Sequence, residues 1–141
     1  MGNDSPQVGY LLKHAQSLLH VRMEEALREL GLTVSHYSCL FHLRADSGIS
    51  ASALARRTFV TRQSMNVMLQ QLIDRGLVAR PTRAHSGRAL PAALTPAGIS
   101  ALDAAQVVVG GVEQRMLSGL TPKDSEALAR GLAACVSSLA G

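Results

Sequence analysis

The stretch Ser50–Leu94, SASALARRTFVTRQSMNVMLQQLIDRGLVARPTRAHSGRALPAAL, decides the fold. Ser50 and Thr61 each stand one residue before a helical pattern, where a hydroxyl can accept from orphan backbone N–H groups. The pattern predicts a short helix over Ala51–Arg57, a tight turn through Thr58, Phe59 and Val60, and a longer helix over Arg62–Arg75. Gly76 follows, at the position where a helix end wants a left-handed residue. In the longer helix Met65, Met68, Leu69, Leu72 and Ile73 recur at helical spacing and should face a core. Two short extended runs then flank the polar loop Thr82–Gly87. Pro81 and Pro91 each remove a ladder donor from those runs, so the hairpin should be short and imperfect.

Two helices across a tight turn, followed by a hairpin, outline a winged helix-turn-helix. The outer face of the longer helix carries Arg62, Gln63, Asn66, Val67 and Gln70. Long, forked and amide-bearing side chains of this kind suit hydrogen bonding to base edges in a major groove. An ordinary solvated helix face would look similar, and the charge distribution separates the two. Residues 50–88 hold seven arginines (56, 57, 62, 75, 80, 83 and 88) and one acid, Asp74, whereas residues 1–49 and 89–141 each hold one more acid than base. The chain's net charge of +4 therefore comes from one segment. A basic patch confined to a reading motif is the footprint of a nucleic-acid module. Arginine, the only base used there, forks onto phosphate or guanine better than lysine.

The flanking sequence supplies helices. A helix is expected over residues 8–30, with Leu11, Leu12, Leu18, Leu19, Met23, Leu27 and Leu30 as an apolar stripe and Gly31 as its stop. Thr33 caps a second helix running to Arg44, with Tyr37, Leu40, Phe41 and Leu43 facing inward. Ile49 should make a short extended contact. Thr95-Pro96 and Thr121-Pro122 are cap-plus-proline signals. They open helices over Pro96–Leu117, which Gly110-Gly111 should interrupt, bending or loosening it, and Pro122–Leu139. The expected organisation is one domain of 141 residues, with residues 8–49 and 95–141 as dimerisation and core helices and residues 50–94 as the DNA-binding lobe. One small domain cannot hide so much Ala, Leu and Val, so a homodimer through the terminal helices is expected.

At 47% hydrophobic and 17% charged the chain should fold. Its 3% aromatic content and lack of Trp argue against a single-strand binder built on base stacking. Cys39 and Cys135 form no CxxC pair and look like buried small hydrophobes in a reducing compartment. No signal peptide and no bilayer-length apolar run is visible, so a cytoplasmic protein without a membrane partner is expected. GxGxxG, P-loop, GxSxG and HExxH motifs are missing, so neither an enzyme nor a cofactor is expected. His20 with Glu24, and His42 with Asp46, have metal-pair spacing but no compact ligand cluster around them, so no metal site is assigned.

LARRTFVTRQSMNVMLQQLIDRGLVARP, the later RAL, LTPAG at the opening of the next helix, and ELGLTVSHYSCLFHL before them resemble the MarR family of bacterial transcriptional regulators. The resemblance covers nearly the whole chain. It implies an intertwined dimer that binds pseudo-palindromic double-stranded DNA, usually as a repressor, and is released by a small anionic or phenolic effector. By position it implies DNA contacts from Thr61, Arg62, Gln63, Ser64, Asn66, Val67 and Gln70, with Arg80 and Arg83 beside them and Arg88 as the wing arginine. The family's Asp-x-Arg wing is here Ser86-Gly87-Arg88, without the orienting acid. Tyr37 is the candidate pocket residue by position, and His14 and His20 could face an anionic ligand. The competing functional classes are a winged-helix protein-interaction module and a metal- or redox-responsive regulator.

Overall fold

The structure is a computed structural model that describes residues 5–80 and 91–141. Among the described residues, six helices and two paired strands follow in the order α1 (Ser5–Arg28), α2 (Val34–Ala45), α3 (Ala51–Arg57), α4 (Arg62–Asp74), β1 (Val78–Ala79), β2 (Ala93–Leu94), α5 (Pro96–Leu117) and α6 (Pro122–Ala140). The strands pair antiparallel, with Val78 opposite Leu94 and Ala79 opposite Ala93. Pro91 lies just before β2, clear of the ladder. Residues 81–90, including Arg83, Arg88, Pro81, His85, Ser86 and Gly87, lie outside the described residues.

Every cap read from the sequence is made. The hydroxyls of Thr33, Ser50, Thr61, Thr95 and Thr121 accept from the backbone N–H of His36, Ala53, Ser64, Gly98 and Asp124. Each such bond satisfies one of the four donors a helix start leaves open. Gly31, Gly48 and Gly76 take positive φ at the breaks between elements. His36 adds a second tie at the start of α2. Its Nδ1 accepts from Thr33 N–H at 3.2 Å, while Nε2 lies 3.2 Å from Gln71 Oε1 on α4. Glu24 of α1 also accepts from Val34 N–H, fastening α2 to α1.

The core joins α1 to α5 through Leu27, Cys39, Leu40, Leu43, Leu54, Met65, Leu69, Leu72, Val78 and Leu102. Met65, Leu69 and Leu72 are buried as the periodicity predicts, with Met68 and Ile73 packed at the edge. Four expectations need correction. Phe41 is 41% exposed rather than inward, because it sits one helical step past the buried Leu40 and Leu43 face. Cys135 is exposed, since α6 buries none of its residues in this protomer. Of the seven residues expected in the first stripe only Leu27 is fully buried, while Leu11, Leu12 and Leu18 on α1, and Leu30 in the turn after it, are exposed. Gly110-Gly111 does not break α5, which runs unbroken from Pro96 to Leu117. The i→i−4 ladder on either side carries the pair, whose propensity cost is only about 1 kcal/mol per glycine.

Candidate nucleic-acid interface

α3 and α4 pack against each other, with Val60 N–H returning to Ala55 O at 3.1 Å across the turn. The buried Met65, Leu69 and Leu72 turn the opposite face of α4 outward. Arg62, Gln63, Ser64, Asn66, Val67 and Gln70 are all exposed on α4, and Thr61 is exposed at its cap. The sequence therefore places one polar, cationic helix face in solvent.

The side chains on that face are not equally available. Thr61 Oγ1 is occupied by the cap and lies 3.0 Å from Ser64 Oγ, so both hydroxyls serve the helix start. Gln70 Nε2 donates to Asp74 Oδ1 at 2.9 Å, which turns this amide toward the helix end. Arg62, Gln63, Asn66 and Val67 carry no side-chain tie of this kind among the described residues. Gln63, Ser64 and Val67 line a shallow recess with Met68 and Gln71. Arg62 and Arg80 come together at a deeper cavity of about 280 Å³, walled by Ile49, Ser50, Leu69 and Ala92. That cavity joins the start of α4 to the base of the hairpin.

Two arginines of the basic segment are structural. Arg75 Nη1 donates to Gly31 O at 2.7 Å, tying the end of α4 to the α1–α2 turn. Arg57 Nη2 lies 2.9 Å from Asp46 Oδ2. Asp46 is thus engaged by an arginine rather than by His42, and Glu24 by the start of α2 rather than by His20. Sequence reasoning missed these long-range ties because each partner lies on another element, with no local signal.

Tyr37, on α2, is half-buried. Burial holds its hydroxyl above the usual 10.0, with Arg44 pulling against that and Glu113 adding to it. Beside it Arg44 joins α2 to α5, donating to Asp103 Oδ1 at 2.6 Å and Gln106 Oε1 at 2.5 Å. His14 and His20 are exposed on α1, and His14 packs near Tyr10 at 5.7 Å between ring centroids. A separate recess of about 310 Å³ opens between α1 and α5, with Leu18, Leu19, Val112 and Met116 as its apolar wall and Arg22 and Arg115 at its edge. Tyr37, His14 and His20 line neither this recess nor the cavity at Arg62. No helix among the described residues is long and apolar enough to cross a membrane.

Residues 30–89 match the model of the MarR family. The chain is 41% identical over 121 residues to the HTH-type transcriptional repressor Rv2887 of Mycobacterium tuberculosis, a match covering 86% of each chain. Its backbone is similar to the crystal structure of Rv2887 in complex with salicylic acid, with a TM-score of 0.77, 39% identity, and 90% and 94% of the two chains covered. The Rv2887 complex with DNA gives a TM-score of 0.77 at 35% identity, covering 90% and 95%. With that identity over most of its length and that backbone similarity, the chain belongs to the MarR family of transcriptional regulators.

Proposed function

We propose that this chain is a cytoplasmic, ligand-responsive repressor that acts without catalysis by binding a pseudo-palindromic DNA operator as a homodimer. The observation that carries it is the outward face of α4, where Arg62, Gln63, Asn66 and Val67 stand exposed over a buried Met65–Leu69–Leu72 seam. Such a face matches the donors, acceptors and thymine methyls of a major groove. Arg62 and Gln63 at the start of the helix read bases, and Asn66 and Val67 read one turn further on. Arg80, with Arg83 and Arg88 of the wing, supplies contacts to the backbone and minor groove. Thr61, Ser64 and Gln70 contribute chiefly by holding the helix. The relative Rv2887 has been solved bound to DNA, which supports the same assignment here.

The dimer rests on uncovered apolar surface. Leu128, Leu132, Val136 and Leu139 form a stripe along α6 at helical spacing, each exposed. Leu11, Leu12 and Val21 on α1 are exposed as well. A second protomer covers both sets, so residues 8–49 and 95–141 form the shared scaffold and residues 50–94 the reading lobe.

The effector is a small aromatic carboxylate, the class to which the salicylic and p-aminosalicylic acid bound by Rv2887 belong. The α1–α5 recess offers the complementary chemistry, with apolar side chains for the ring and Arg22 and Arg115 for the carboxylate. Release follows if the ligand binds the dimer that cannot span its operator more tightly than the one that can.

The test is a titration of the protein against duplexes selected from a random pool. Selected duplex should bind about a thousandfold or more tighter than scrambled duplex, with affinity falling steeply between 50 and 200 mM salt. Arg62→Ala and Gln63→Ala should each remove about 1–3 kcal/mol of that discrimination. Equal affinity for selected and scrambled duplex would reject the reading, and an acidic protein competing for the same face would replace it.

A further inference from the structure

Phe59 sits in the turn between α3 and α4 with φ +59, and among the described residues it is the one non-glycine with positive φ. The residue is 94% exposed, so its ring stands in solvent. Both facts run against the fold. Left-handed backbone favours glycine or asparagine, and a bulky side chain there is strained. An exposed phenyl ring gains nothing from burial, so packing does not offset that strain. Among the described residues from 42 to 98, Phe59 and Val67 are the only large apolar side chains left in solvent, and Val67 is on the reading face. Arg56 and Arg62 stand exposed on either side of the turn.

We infer that Phe59 is an apolar anchor for the DNA backbone, resting on the DNA-binding reading given above. In a helix-turn-helix the first helix crosses the sugar–phosphate backbone and the second enters the groove. The turn between them therefore lies at the groove lip. The surface met there alternates charged phosphates, suited to Arg56, with the carbon face of deoxyribose, suited to a phenyl ring. Covering the ring against sugar removes it from water only in the complex. The strain held in the free protein then serves to present the ring outward. Sugar carries no sequence information, so this contact fixes the depth and register of α4 rather than reading a base.

Two substitutions test the assignment, because glycine and asparagine both accept the left-handed turn and both remove the ring. Without DNA, Phe59→Gly and Phe59→Asn should melt no lower than wild type, and about 3 °C higher where strain relief dominates. On duplex DNA both should bind about tenfold more weakly, for selected and scrambled sequence alike, since the ring's burial is lost. The dependence of affinity on salt should not change, because no charge was removed. Phe59→Leu, which keeps apolar bulk, should retain most of the affinity. Binding within about twofold of wild type for both Gly and Asn variants would overturn the inference, as would a lowered melting temperature showing that the ring supports the fold. Wild-type protein without preference for any duplex would instead reject the DNA-binding reading itself.

Discussion

At the scale of single residues, the capping hydroxyls were legible because their partners lie three residues away. Thr33, Ser50, Thr61, Thr95 and Thr121 all cap as read. Arg57 and Arg75 were not legible as structural residues, because Asp46 and Gly31 O reach them only once the chain has folded. Gly98 shows how a family-like motif acquires a physical reason. A Cβ built there would stand 2.0 Å from Leu77 O, so α5 can start this close to β1 only without a side chain. Gly98→Ala should destabilise the fold by about 2 kcal/mol or more in chemical denaturation, through forced separation of α5 from the strand. Cys39 gives a pH prediction. Its side chain is fully buried, and burial pushes the thiol from 9.0 up to about 12. The folded state therefore holds this proton more tightly than the unfolded state. The resulting stability is complete below pH 9.0 and is lost as pH rises toward about 12. Cys39→Ala should show a shallower loss of stability across that window, and Cys39 should resist iodoacetamide until the protein unfolds.

At the scale of elements, helix identities and most boundaries followed from apolar periodicity and caps. α3 was read with its observed ends, and α5 with its observed Pro96–Leu117 span. The misreading lay within α5. Gly110-Gly111 carries a propensity penalty, but flanking turns and α5's packing on α1 and α2 override it. A Cβ at Gly111 would meet nothing within 4 Å, and the residue is exposed in the protomer. Gly111→Ala should therefore stabilise the helix by about 0.5–1 kcal/mol, read as a higher urea midpoint with unchanged slope. A decrease would place a closely packed partner helix at that position. The wing is the element least legible from sequence. Its paired strands are two residues each, and proline at 81 and 91 limits what local pattern can say about the loop between them.

At the scale of the whole molecule, the protomer is unfinished. α6 buries none of its residues, and the stripe on α1 is largely in solvent. The excess of aliphatic residues in the sequence anticipated this surface, since one small core cannot absorb it. Which faces would be left open was legible only in part. The stripe on α1 divides between Leu27, buried in the core, and Leu11 and Leu12, left outward. In the proposed dimer, two-fold pairing through these faces doubles α4. One recognition helix reads too few base pairs to find an operator, whereas two helices about 34 Å apart read two half-sites on one side of a duplex. Operator binding by this chain depends on that paired geometry. Its most direct test is the affinity of the protein for its selected palindrome before and after five base pairs are inserted between the half-sites. The insertion turns one half-site about half a helical turn away, and affinity should fall by at least about tenfold. Unchanged affinity would mean that the two reading helices do not act together, and would contradict that dependence.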